Sequence, residues 1–83
     1  MPRIELLHRR RWVALADASA RNVAANAWTL TIPLTDAVRK LVPRADDPEA
    51  WDGAVFQLDG KEAEPAVGSG VGPTGITVTV LVF

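Results

Sequence analysis

The chain contains no cysteine and no tyrosine, a single histidine, and no apolar run near the length of a membrane span. Without cysteine, neither disulfides nor thiolate metal sites can stabilise the fold, so burial of apolar side chains must do so. A membrane-spanning helix would need roughly 18–20 apolar residues, and a signal peptide would need an uninterrupted apolar core near the N-terminus. These absences predict a cytoplasmic protein that does not engage membranes.

The chain also lacks an excess of charge of either sign, with a formal net charge of −1. Nucleic-acid binding requires several phosphates to be neutralised at once, so this balance argues against a nucleic-acid partner. The 83 residues, of which 48% are hydrophobic and 23% charged, have the composition of a globular protein. We therefore expect one domain spanning residues 1–83.

Two segments have the alternating apolar pattern of β-strands. Residues 76–83 place Ile76, Val78, Val80 and Val82 on one face. Residues 28–32 repeat the alternation, and Pro33 removes a ladder donor and ends the strand.

The middle of the chain predicts a short helix and a hairpin. Residues 34–42 have apolar side chains at helical spacing, with Asp36 early and basic residues late, and Pro43 ends the helix. Residues 44–53 predict a connection with one helical turn beginning at Pro48. Residues 54–58 predict a third strand, which an Asp59-Gly60 turn reverses into a brief return strand at 61–65.

Two further segments have weaker patterns. Residues 66–75 carry four glycines and predict an irregular loop: Gly68, Gly70, Gly72 and Gly75. Residues 3–7 predict a strand that continues through 12–16 as a long ribbon followed by a loop. The rival interpretation is a helix over residues 12–26, which is rich in alanine.

Residues 28–42 resemble the second strand and helix of ubiquitin-like proteins. The stretch 55–62, Val-Phe-Gln-Leu-Asp-Gly-Lys-Glu, followed by residues 76–82, is similar to the apolar strand, turn and closing strand of the same family. This resemblance implies an α+β fold, the ubiquitin-like β-grasp, in which a mixed sheet of four to five strands packs on one short helix. Residues 1–27 would form a long N-terminal hairpin region.

The end of the given sequence departs from that family. Conjugated ubiquitin-like proteins and sulfur carriers end in Gly-Gly, whereas here the last residues are Leu81-Val82-Phe83. The resemblance therefore points to non-conjugated bacterial members, such as the small ubiquitin-like proteins of type VII secretion and the small subunit of multicomponent hydroxylases. Those proteins act by docking onto other proteins.

No group of residues predicts catalysis, a metal or a cofactor. His8 has no acid or nucleophile near it in sequence, and a general base needs an oriented partner. The acidic residues between 46 and 52 lack the order of a calcium loop. Residues 68–72 lack the Gly-Lys-Ser/Thr of a phosphate loop. We therefore expect a protein that is not an enzyme.

The candidate docking residues are basic or large and apolar. Three consecutive arginines precede a tryptophan, a combination that could hold an acidic partner or a phosphate backbone or, alternatively, protect an edge strand from aggregation. Tryptophan is enriched in interface hot spots, so Trp51, Leu81 and Phe83 are also candidates. The alternative is that these three side chains only cover the core. The full set is Arg9, Arg10, Arg11, Trp12, Trp51, Leu81 and Phe83, with Trp28 expected inside.

These observations favour a non-enzymatic accessory subunit or adaptor that contacts proteins within a larger complex. The alternative is a structural component of a particle, such as a phage decoration or connector protein. A sulfur or peptide carrier is a third hypothesis, disfavoured by the missing Gly-Gly. Because fold resemblance alone does not establish function, the partner is not identified by the sequence.

Overall fold

In the computed structural model, which describes residues 2–66 and 69–83, antiparallel strands dominate and form a curled half-barrel. Strands contain 50% of the described residues and helices contain 12%. The strands are β1 (Ile4–His8), β2 (Arg11–Ala14), β3 (Ser19–Ala24), β4 (Ala27–Ile32), β5 (Phe56–Leu58), β6 (Lys61–Pro65), β7 (Gly70–Gly72) and β8 (Gly75–Val82). One α-helix, α1 (Asp36–Leu41), and one 3₁₀ turn, Pro48–Trp51, lie between β4 and β5.

The strands follow the order β2-β1-β5-β6-β8-β4-β3, and β7 pairs with β8 outside this path. Each of these pairings is antiparallel. The expectation of a mixed sheet of four to five strands is therefore wrong. Among the described strands, β2 and β3 end this path and pair on one side only, as does the short β7 beside β8.

The centre of the core lies between β4 and β8, where the sequence alternation was clearest. Leu30 faces Val78 across the pair and Ile32 faces Ile76, and all four side chains are fully buried. Alternate residues of β1 and β5 add Ile4, Leu6, Phe56 and Leu58 to the same interior. The predicted strands at 28–32 and 76–83 are confirmed, because their apolar faces are the concave face of the curled sheet.

The helix is too small to play the part that a β-grasp fold requires. Thr35 caps α1 by accepting a hydrogen bond from the Val38 N–H, and within the helix only Val38 is buried. Six residues make less than two helical turns, so α1 leaves most of the eight-stranded sheet without a covering helix. The prediction of an α+β, ubiquitin-like β-grasp sheet packed on one short helix is wrong. The bacterial ubiquitin-like relatives that it implied lose their support with it.

The N-terminal region forms strands throughout rather than a helix. β1 and β2 make a hairpin with a two-residue turn at Arg9-Arg10, so residues 12–16 do not extend β1 as one ribbon. β3 replaces both the predicted loop and the rival helix over 12–26, and it pairs with β4. Within the described residues, no helix is long and apolar enough to cross a membrane.

The hairpin of β5 and β6 turns at Asp59-Gly60, as the sequence predicted. The glycine-rich segment is more regular than expected, since Gly70–Gly72 forms β7 against the start of β8. Gly68, the first glycine of that predicted loop, lies outside the described residues.

Candidate protein-interaction site

A groove of about 360 Å³ runs between α1 and the segment formed by β2 and residues 15–18. Its apolar lining comes from Val13 and Leu15 on one side, Val38 and Leu41 of α1 on the other, and Ile32 at the end of β4. Asp17 and Lys40 are the charged residues that line it. This volume is near the lower end of the range of about 300–1,000 Å³ that is typical of ligand pockets, so it fits a few side chains.

The wall of the groove on the β2 side is an open sheet edge. Leu15 N–H donates to the Ile4 carbonyl oxygen at 2.9 Å, and Leu7 N–H donates away from β2 to the Val55 carbonyl oxygen at 2.9 Å. Because hydrogen-bonded and non-hydrogen-bonded pairs alternate in an antiparallel ladder, the N–H and C=O groups of Trp12 and Ala14 point away from β1. No described strand pairs with that side of β2. The edge therefore presents four backbone groups to a further strand.

The residues that precede and follow β2 differ in charge. A second depression is lined by Leu6 and His8 of β1 together with Leu41, which also lines the first groove. Leu41, at the C-terminal end of α1, therefore lies near the end of β1 that leads into the Arg9-Arg10 turn. Asp17 lies past the last residue of β2. The basic Arg9-Arg10 turn therefore precedes β2 and the acidic Asp17 follows it, although neither arginine lines the groove itself.

The structure places four of the predicted docking residues directly before Val13 in the chain, and none of them lines the groove. Arg9 and Arg10 form the hairpin turn, and Arg11 and Trp12 begin β2. All four are exposed, and Trp12 faces the exposed Leu7 across the hairpin. Since Trp12 alternates with Val13, which pairs with the buried Leu6, its side chain lies on the face of the sheet that points away from the core.

Leu81 and Phe83 lie elsewhere. Leu81 is paired with Glu64 of β6, and Phe83 N–H donates to the Glu62 carbonyl oxygen. Both side chains are exposed, 40% for Leu81 and 82% for Phe83. Three strands, β1, β5 and β6, separate β8 from β2 in the sheet. The predicted residues therefore do not form one continuous surface.

Trp51 is not a surface residue. Its side chain is 0% exposed and stacks on Phe56 with ring centroids 6.1 Å apart. The expectation that Trp51 contributes to docking is thus corrected, because the 3₁₀ turn directs its indole into the core. Trp28, expected inside, is partly buried against the core.

Among the acidic residues between 46 and 52, Asp47 has side-chain contacts within the fold. Asp47 caps the 3₁₀ turn by accepting a hydrogen bond from Glu49 N–H, and it also pairs with Arg44. Across residues 2–66 and 69–83, no group of three or more histidine, aspartate or glutamate side chains is arranged to hold a metal ion. Gly68 of the phosphate-loop candidate again lies outside the described residues.

Sequence reasoning missed the apolar lining of the groove and the backbone of Ala14. Val13, Val38 and Leu41 read as ordinary core positions, and their sequence pattern does not distinguish a groove wall from a packed interior. The free groups of Ala14 carry no side-chain signal at all, because they depend on which strand ends the sheet. Comparison of the chain with protein-family models, curated proteins and solved structures finds no match.

Proposed function

We propose that this chain is a non-enzymatic accessory subunit or adaptor that holds an extended segment of a partner protein along β2. The observation that carries the proposal is the open backbone edge at Trp12 and Ala14 beside an apolar groove. An exposed sheet edge next to side-chain pockets is the arrangement used for binding by strand addition. The absence of cysteine in the chain supports a reducing compartment such as the cytoplasm.

The bound segment gains affinity from its backbone and specificity from alternate side chains. The four residues of β2 span about 13 Å, so a segment of about four residues pairs with them. One set of its side chains points into the groove over Val13 and Val38, and the other set lies beside Trp12. Because the interface is short and each hydrogen bond adds only about 0.5–1.5 kcal/mol net, we expect affinities of about micromolar strength.

The test uses a library of random eight-residue peptides displayed on phage and selected on the immobilised protein. A selected peptide is then titrated into ¹⁵N-labelled protein. We expect the amides of Trp12 and Ala14 to become protected from hydrogen exchange, because strand addition pairs them with the peptide. Selected peptides that protect other parts of the sheet and leave these two amides unchanged would contradict the proposal.

A pair of proline substitutions gives a matched control. Ala14→Pro removes an N–H that points away from β1, so the β1–β2 ladder keeps its hydrogen bonds. Ala20→Pro does the same at the other edge: Val82 N–H donates to the Asn26 carbonyl oxygen, and the alternating ladder then leaves the Ala20 groups facing outward from β4. We expect Ala14→Pro to weaken peptide binding at least about fivefold and Ala20→Pro to leave it unchanged. Equal effects of the two variants would exclude the β2 edge as the binding site.

The second candidate function is a structural component of a particle. It is supported by the open strands at both ends of the described strand order, β2 and β3, since copies joined edge to edge could extend in both directions. Sedimentation velocity over a range of concentrations separates the two functions. A monomer that forms a one-to-one complex with peptide supports the adaptor, whereas growth into large assemblies that Ala20→Pro prevents would favour the particle component.

A further inference from the structure

The turn between β1 and β2 has an unusual composition for its backbone conformation. Arg9 has φ of 50° and Arg10 has φ of 67°, so both lie in the left-handed region. A two-residue hairpin turn with positive φ at both positions is normally Asn-Gly, Asp-Gly or Gly-Gly, because a side chain in this region crowds its own backbone. Two adjacent arginines therefore destabilise this turn relative to Asn-Gly.

Contacts within the fold do not offset that strain. Arg9, Arg10 and Arg11 are all exposed. In the described residues the ion pairs are those of Arg3 with Glu5 and of Arg44 with Asp47, so none involves the turn. Backbone strain that no stabilising contact offsets is concentrated at sites where the residues serve a function.

The position of the turn indicates what that function is. It lies just before β2, whose Val13 lines the groove, while Asp17 lies past the other end of β2. A segment lying along β2 would therefore meet three positive charges, those of Arg9, Arg10 and Arg11, at one end of its apolar stretch. Opposite charges at the rim of an interface set the register and orientation of the partner and speed its association.

We infer that the Arg9-Arg10 turn is the recognition site for the acidic end of the bound segment. The partner class is an extended peptide with apolar residues at alternate positions, followed on the turn side by aspartates or glutamates. This inference rests on the proposed binding of a segment along β2. The turn gives up stability so that two guanidinium groups lie where the partner carries its carboxylates.

The deciding variant is Arg9→Asn with Arg10→Gly, which keeps the turn type and removes both charges. Because Asn-Gly suits positive φ, we expect this variant to fold with a melting temperature raised by about 3 °C or more. A selected acidic peptide should bind it about tenfold more weakly in low salt, and the loss should shrink as salt screens the charges. The matched control, Arg21→Gln with Lys61→Gln, removes two exposed charges that do not line the groove and should bind within about twofold of the unmodified chain.

The same random-peptide library separates failure of this inference from failure of the proposed function. Selection on the unmodified chain should enrich acidic residues at one end of the apolar positions, and selection on the Arg9→Asn, Arg10→Gly variant should lose that enrichment. Binders without acidic enrichment would overturn the inference and leave strand addition intact. No binders at all would overturn both. Sedimentation with anionic phosphatidylserine vesicles that depends on the two arginines, without peptide enrichment, would assign the turn to a membrane surface instead.

Discussion

The indole Nε1 of Trp51 donates a hydrogen bond of 2.9 Å to the backbone carbonyl oxygen of Ala45, and both residues are fully buried. The indole plane is also within 8° of parallel to the ring of Phe56. One side chain thus joins the connection after α1 to the first residue of β5. It also gives the Ala45 carbonyl a hydrogen-bond partner in a place that water does not reach.

Trp51→Phe should therefore destabilise the fold by about 2–4 kcal/mol. The substitution leaves the Ala45 carbonyl oxygen without its donor, which costs about 1–3 kcal/mol, and it also removes buried ring volume. Urea unfolding followed by far-UV circular dichroism measures the loss. Trp12→Phe is the control, because Trp12 is partly exposed and should change stability by about 0.5 kcal/mol or less. Equal stabilities of the two variants would show that the indole hydrogen bond does not stabilise the core.

Gly75 is required at the start of β8 by both its backbone angle and its surroundings. Its φ is 127°, and a Cβ there would lie 2.2 Å from the carbonyl oxygen of Ile32. Gly75→Ala should cost more than about 3 kcal/mol or prevent folding, because the contact is with backbone that cannot move aside without disturbing β4.

Gly53→Ala is the matched control for this prediction. Nothing lies within 4 Å of a Cβ placed at Gly53, so alanine there should be neutral or slightly stabilising through the unfolded state. Thermal unfolding of both variants gives the comparison. A Gly75→Ala protein that melts at the same temperature as Gly53→Ala would mean that β4 and β8 do not meet as described.

Local sequence patterns identified the strands that have one buried face and failed for the others. In β4 and β8 the alternation of apolar and polar residues is the direct consequence of one face being buried. β3 has no such alternation, because it is an edge strand with most of its residues exposed. Its pairing with β4 is stabilised by backbone hydrogen bonds, which residues of every type except proline can both donate and accept.

The global fold depended on long-range pairing that local patterns do not encode. β1 joins β5, and β6 joins β8, across many intervening residues. The ubiquitin-like interpretation assumed that one helix covers the sheet, although a helix of six residues lacks the apolar area to do so. Trp51 was predicted to be exposed because its sequence neighbours are charged. The 3₁₀ turn instead points those charged side chains outward and the indole inward.

Asp59 connects the β5–β6 turn to the N-terminus through a pair of hydrogen bonds. Its Oδ1 accepts from Arg3 N–H at 2.8 Å, and its own N–H donates to the Arg3 carbonyl oxygen at 2.9 Å. Asp59→Ala should cost about 1 kcal/mol, since alanine cannot accept the first bond and tolerates the φ of 50° poorly. Asp59→Asn should be nearly neutral, because asparagine keeps an acceptor oxygen and is favoured at positive φ. Chemical unfolding that ranks asparagine with alanine would contradict this account.

The open edge of β2 predicts an alternating pattern of hydrogen exchange in the free protein. The ladder with β1 directs the amides of Val13 and Leu15 inward, whereas those of Trp12 and Ala14 face outward. Exchange followed by ¹⁵N NMR should be at least about tenfold slower for Val13 and Leu15 than for Trp12 and Ala14.

Protection of Trp12 and Ala14 in the absence of any ligand would mean that something already pairs with the edge. A second copy of the chain would be the occupant if the protection disappears on dilution, because dimer formation depends on protein concentration. Such a result would turn the edge from a site for partner segments into a self-association surface. Rapid exchange at all concentrations leaves it free for the partner that we propose.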